Sequence, residues 1–232
     1  MQVCATSPFA QEQALASDAR WRPHDLLQLR SLSVFDDEPP WVREAFARAP
    51  YAVVRRALAA DGFVAIGVRG VGRSQRYGTW AQLAEIVHAV SPDMLAKAAP
   101  LDGRATLPAF VAFHAMQSDP SGLLAGCFDW GPTGSVGFEL TTQIPVVSVS
   151  SDLDLLIRTP EPLSLELAAA LLNHLQTCGH RAGIRVDAQL ETPAGGVALS
   201  EWAAGKARVM ARHARGPQLI ADPWADNRSE NA

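Results

Sequence analysis

Residues Asp152, Leu153, Asp154, Leu155, Leu156 and Ile157 constrain the fold more than any other stretch of this chain. A short apolar run bearing two carboxylates one residue apart reads as a β-strand in a sheet core, because strand side chains alternate between faces. Asp152 and Asp154 then project from the same face, and Leu153 points into the core. The rest of the chain must supply a sheet able to bury that strand. With 232 residues, 48% of them hydrophobic and 19% charged, it has apolar material for one large domain or two small ones.

The surrounding pattern predicts an α+β protein in two domains. Residues 1–20, rich in Ala, Gln and Ser, have no apolar pattern to dock with and are expected to form a loosely ordered leader; they carry neither the basic start nor the apolar stretch of a signal peptide. A small α/β domain is expected over residues 21–99. There Pro39-Pro40 opens a helix in which Val42 and Phe46 share a face, and Tyr51 to Leu58 and Phe63 to Val68 form a hairpin around Asp61-Gly62. Residues 70–78 form a loop rich in glycine and arginine, and Leu83, Ile86, Val87 and Val90 recur at the spacing of a helix from Trp80 to Val90. Ser91-Pro92 begins another short helix, and residues 100–106, rich in Pro, Gly and Asp, read as the linker.

The second domain, residues 106–232, has a different rhythm. A helix is expected from Leu107 to Met116 and a buried strand from Leu123 to Phe128. Gly131 to Ser135 is read as a turn into a short helix ending at Leu140. After the Asp152 strand come a helix capped by Ser164, a third strand from Gly183 to Leu190, and edge strands at Ala207 to Arg212 and Gln218 to Ala221.

This order of elements suits one chemistry. Nucleotidyl transfer needs a divalent metal, since the triphosphate is highly charged and both attacking and leaving oxygens carry developing negative charge. Asp152 and Asp154 on one strand face are candidate ligands. Gly134 and Ser135, at a helix start, offer close backbone approach, amides and a hydroxyl to a phosphate. A third carboxylate, Asp187, lies in the predicted strand after the Ser164 helix; paired in suitable register, it either completes the metal site or takes the acceptor's proton. A lone Asp-x-Asp strand is equally the polar face of an antiparallel sheet. The succession Gly-Ser, short helix, Asp-x-Asp strand and later Asp strand is what points to catalysis. The segment from Thr141 to Ser151 is longer than a connection requires and is expected to form a substrate-facing flap.

The run from Trp130 to Leu140, followed by Ser151-Asp152-Leu153-Asp154-Leu155-Leu156, resembles the malonate decarboxylase holo-acyl-carrier-protein synthases, also called phosphoribosyl-dephospho-CoA transferases. The opening Arg22-Pro23-His24-Asp25-Leu26-Leu27 and the closing Leu219-Ile220-Ala221-Asp222-Pro223-Trp224 resemble the two ends of that family, whose usual start lies after the leader. The resemblance implies a C-terminal domain of the polymerase-beta-like nucleotidyltransferase fold, a mixed sheet flanked by helices. It also implies a reaction joining 2'-(5''-triphosphoribosyl)-3'-dephospho-CoA to a serine of an apo acyl-carrier protein, with release of pyrophosphate. By that analogy Asp152 and Asp154 bind magnesium (Mg2+) and Gly134-Ser135 holds the triphosphate.

Composition narrows the partners. A net charge of -4 argues against a polynucleotide held by phosphate neutralisation, and no stretch approaches membrane-spanning length. Cys4, Cys127 and Cys178 form neither a disulfide framework nor a zinc motif, so a reducing cytoplasm is expected. Arg69, Arg73 and Arg76 are candidates for contact with an acidic carrier protein, against the plain reading of a solvated loop. Lys206 and Arg158 are candidate phosphate contacts with a surface role as the default. His24 and His174 are expected to be structural, Trp224 to anchor the C-terminal segment, and Gly195-Gly196 to form a mobile loop beside the site. Two competing functions remain: a nucleotidyltransferase of the same fold with another acceptor, and a non-catalytic carrier-binding module. A sugar-nucleotide glycosyltransferase is disfavoured because no dinucleotide-type βαβ pattern precedes Asp152.

Overall fold

The computed structural model describes the backbone of Val3–Cys4 and residues 20–35, 38–72, 74–119, 123–124 and 126–225. It is a mixed α+β protein that divides into two compact units, Met1–Ser91 and Pro92–Ala232. The division falls ahead of residues 100–106, which lie inside the second unit. Of the expected leader, Val3–Cys4 form a two-residue strand, β1, and the other residues before Arg20 lie outside the described ones.

The first unit is built on β1, β2 (Leu26–Leu29), β3 (Tyr51–Val54), β4 (Phe63–Arg69), β5 (Arg76–Gln82) and β6 (Ile86–Val90), in the order β1-β5-β4-β3-β2-β6. Its helix α1 (Trp41–Arg48) starts after Pro40 and buries Val42 and Ala45, with Phe46 packed at the margin of a core that includes Leu27, Ile66 and Tyr77. The β3–β4 pairing is the expected hairpin, and Gly62, at φ 83°, makes the turn that an L side chain resists.

The helix expected from Trp80 to Val90 does not form. Tyr77, Thr79 and Ala81 belong to β5, a 3₁₀ turn spans Leu83–Glu85, and β6 pairs with β2. The apolar residues fit helical spacing, but long-range pairing with β4 and β2 decides the outcome, and Val87, expected in the core, is 52% exposed. The loop is also shorter than expected, because Arg69 and Arg76 already pair across β4 and β5.

In the second unit the strands β7 (Trp130–Pro132), β8 (Leu153–Arg158), β9 (Val186–Thr192), β10 (Gly195–Ala198), β11 (Val209–His213) and β12 (Gly216–Ile220) run in the order β12-β11-β10-β9-β8-β7. All neighbours are antiparallel except β8 and β9, which are joined by the crossover helix α4 (Leu165–Ala182). The Ser164 hydroxyl accepts from the Leu167 amide at 3.2 Å, and Gly183 at φ 71° ends the helix. That cap uses residues 183–185, so β9 starts three residues later than expected.

Helices α2 (Pro108–Gln117) and α5 (Leu199–Ala203) pack with α4. This layer lies on the face that carries Leu153 and Val186: a Cβ at Gly179 of α4 would meet Val186 Cγ2 at 2.8 Å. The expected strand from Leu123 to Phe128 is absent from the described residues there, which turn at Gly126 (φ 95°); the strand lies further on, at β7. Gly131 permits this, because a Cβ on it would collide with the Pro92 carbonyl of the 3₁₀ turn Pro92–Leu95. Gly195-Gly196 is strand β10 of a tight hairpin, with Thr192 paired to Gly195, rather than a mobile loop. No helix is long and apolar enough to cross a membrane among the described residues.

Candidate active site

The face of the second sheet opposite α4 carries Asp154, Leu156 and Arg158 from β8, with Asp187, Gln189 and Glu191 level with them on β9. Parallel pairing sets Asp154 directly against Asp187. Asp152, one residue before β8, is 38% exposed, and its Oδ2 lies 3.9 Å from the guanidinium of Arg185, which also reaches Asp187.

The start of α3 (Gly134–Thr142) meets this carboxylate row. The Thr133 amide donates to the Asp154 carbonyl at 2.8 Å, which ties the turn before α3 to β8. Gly134 has φ 58° and its Cα lies against the Asp154 carboxylate, which occupies the space a side chain would need. Only glycine satisfies both conditions. No side chain caps α3, and Ser135 is half-buried in its first turn. Gly134, Ser135 and Asp154 are therefore brought together, with the helix start presenting amides and a positive dipole end beside the carboxylate.

The donor set suits a hard divalent cation: oxygen ligands on one face from Asp152, Asp154 and Asp187. Among the described residues, no three acidic or histidine side chains converge as a ready-made metal cluster. Arg185 explains part of this. Its guanidinium lies 2.6 Å from Asp187 Oδ2 and 3.9 Å from Asp152 Oδ2, so a protein cation stands between two of the three carboxylates.

Behind the site, the Glu139 side chain of α3 is fully buried and accepts from Arg104 Nε, from Arg104 Nη2 at 3.0 Å, and from the Val146 and Val147 amides at 2.7 Å each. Burial pushes this carboxyl up, but the Arg104 hydrogen bond and the two amides outweigh it and hold it below the usual range. The segment expected as a flap is thus pinned at its middle, and a serine turn continues the restraint: the Ser148 amide donates to Ser151 Oγ at 2.9 Å, immediately before Asp152. Arg158 is buried rather than on the surface, and its Nε donates to Asp93 Oδ1 at 3.0 Å.

The other candidates lie elsewhere. Lys206 is exposed between α5 and β11, next to Gly205, which faces Leu165 at the start of α4. Arg69 and Arg76 belong to the first unit, where Arg76 Nη1 donates to the Gln75 carbonyl at 3.1 Å; Arg73 lies outside the described residues. The Trp224 indole donates to the Thr159 carbonyl at 2.7 Å and packs edge-on against Trp202, the anchoring role expected. His174 contacts Asp119 at 3.5 Å and lies beside the buried Cys178, whose thiol is pushed up by burial. Sequence reasoning missed Arg185, Arg104 and Glu139. The position of Arg185, two residues before Asp187, was a legible signal; the pairing of Arg104 with Glu139 across 35 residues was not.

Residues 22–92 match the family model described as the phosphoribosyl-dephospho-CoA transferase MdcG N-terminal domain, and residues 94–223 match its C-terminal domain. A phosphoribosyl-dephospho-CoA transferase from Pseudomonas putida is 43% identical over 205 residues, covering 88% of this chain and 95% of that protein. Those from Pseudomonas aeruginosa and Klebsiella pneumoniae are 42% and 41% identical, covering 87% and 88% of this chain and 93% and 96% of theirs. No solved structure matches the chain. Two adjoining domain matches and identity above 40% along nearly the full length leave one assignment: the chain belongs to the phosphoribosyl-dephospho-CoA transferase family.

Proposed function

We propose that this chain transfers the prosthetic group of 2'-(5''-triphosphoribosyl)-3'-dephospho-CoA to a serine of the apo acyl-carrier-protein subunit of malonate decarboxylase, in the cytoplasm, with release of pyrophosphate. In this reading the second unit is a polymerase-beta-like nucleotidyltransferase domain. The observation that carries it is the meeting of Gly134 with the Asp154 carboxylate, with Asp187 directly opposite, in a member of this family.

Asp152 and Asp154, joined by Asp187, would hold Mg2+ at the exposed end of this sheet face. Bound there, it would supply charge neutralisation for the triphosphate and the leaving pyrophosphate. Gly134 brings the start of α3 against the Asp154 carboxylate, and the first-turn amides of α3 with the Ser135 hydroxyl bind the oxygens of the phosphate chain. The serine oxygen of the carrier forms the new bond to phosphorus as the bond to pyrophosphate breaks. The serine's proton passes to a carboxylate of this row; Asp187, at 49% exposure, is the acceptor in the alternative in which it does not complete the metal site. Arg69, Arg73 and Arg76 are the proposed contacts for the carrier's acidic surface, and Lys206 is a weaker candidate for phosphate.

The test is pyrophosphate release by purified protein supplied with the triphosphoribosyl substrate, magnesium and apo carrier protein. Carrier-dependent release, reduced roughly a hundredfold or more in Asp152→Ala and Asp154→Ala with the fold intact, is the expected outcome. Carrier binding without release, unaffected by these substitutions, would instead identify a binding module.

A further inference from the structure

We infer that Arg185 is a displaceable counter-cation of this site: it holds Asp152 and Asp187 in the free protein, then yields them to a divalent cation and turns to the phosphates of the incoming triphosphate. The inference rests on the metal-site reading above. Three observations carry it.

The first is position. The Arg185 guanidinium lies 2.6 Å from Asp187 and 3.9 Å from Asp152, where it competes with any cation those carboxylates bind. The second is freedom. Its side chain is 71% exposed, so the ion pairs are solvent-screened and weakly held, and the long stem leaves them at little cost. The third is separation of backbone from side chain. The Leu153 amide donates to the Arg185 carbonyl at 3.1 Å, so the main chain at this position belongs to the sheet while the head group moves. A guanidinium released beside a carboxylate-bound metal faces phosphate oxygens, and its planar fork matches them two at a time.

A single residue serving two ligands in turn has a distinctive signature. Removing its charge must help the metal and harm the phosphate. Manganese binding, followed by electron paramagnetic resonance of free Mn2+, is measured for wild type, Arg185→Gln, Arg185→Lys and Asp154→Asn; binding of inorganic pyrophosphate is then measured with manganese present. Arg185→Gln is expected to bind Mn2+ roughly threefold to tenfold more tightly and pyrophosphate more weakly by a similar factor, with Arg185→Lys retaining much of the competition with metal but less of the pyrophosphate affinity. Misfolding does not produce a gain in metal affinity. Unchanged affinities in Arg185→Gln, or shifts of both in the same direction, would overturn the role of Arg185 while loss of Mn2+ in Asp154→Asn still upheld the metal site. Retention of Mn2+ by Asp154→Asn would overturn both.

Discussion

Replacing Glu139 by Gln removes one charge at nearly constant shape and tests the clasp behind the site. Glu139 Oε1 faces Arg104 Nε, whereas Oε2 takes Arg104 Nη2 and the amides of Val146 and Val147. A glutamine that keeps its oxygen at the Oε2 position retains three of these contacts, but its amide nitrogen then confronts the Arg104 Nε–H, donor against donor. One charge-assisted hydrogen bond is lost, worth about 1.5–3 kcal/mol, and a guanidinium is left short of its counter-charge. Complete rupture of a buried pair costs about 3–5 kcal/mol. Arg104 is 23% exposed, so water recovers part of that, and a loss of about 2–3 kcal/mol is expected. Urea unfolding of wild type and variant gives this directly, as a lower midpoint at unchanged slope. Because Glu139 grips the backbone five residues ahead of Asp152, pyrophosphate release should fall under conditions in which the variant remains folded. A variant within about 0.5 kcal/mol of wild type, with normal activity, would refute the view that this pair organises the approach to the site.

Two further outcomes follow from the same geometry. Gly134→Ala places a side chain at φ 58° and into the Asp154 carboxylate; a stability loss of about 1–2 kcal/mol in urea and a deeper loss of pyrophosphate release are expected, and neutrality in both would contradict the contact. The depressed Glu139 carboxyl contributes stability that is fully present above the ordinary glutamate value of 4.5 and lost as pH falls through the lower folded value; acid titration of stability should therefore show wild type weakening below about pH 4.5, with a shallower loss in Glu139→Gln, and identical profiles would refute the assignment.

The second unit was far more legible than the first. Asp152, Leu153 and Asp154 carry a period-two signal that Val186 to Glu191 repeats, and Ser164 with Gly183 punctuates α4 at both ends. Between Trp80 and Val90 the same apolar residues satisfy helical and sheet patterns, and the decision lies in partners outside this stretch: Phe63 to Arg69 for β5 and Leu26 to Leu29 for β6. The site shows the same division. Gly134, Asp152 and Asp154 are visible in a local motif, and Asp187 follows from strand order. Arg185 stood in view two residues before Asp187, but the Arg104–Glu139 clasp is a contact made by folding across 35 residues, so local composition could not announce it.

Parallel pairing between β8 and β9 makes the sheet a ruler. Asp187 lies 33 positions after Asp154, yet the rungs from Leu153–Val186 to Arg158–Glu191 align the two, with only the buried face of α4 packed beneath them. The exposed surface of α4 is therefore free to drift in sequence without misaligning the carboxylates. A one-residue insertion between Gly183 and Val186 would be different in kind: to preserve the rungs it must bulge outward, and if it instead slips the strand, Asp187 turns toward the helices and an aliphatic side chain takes its place in the row.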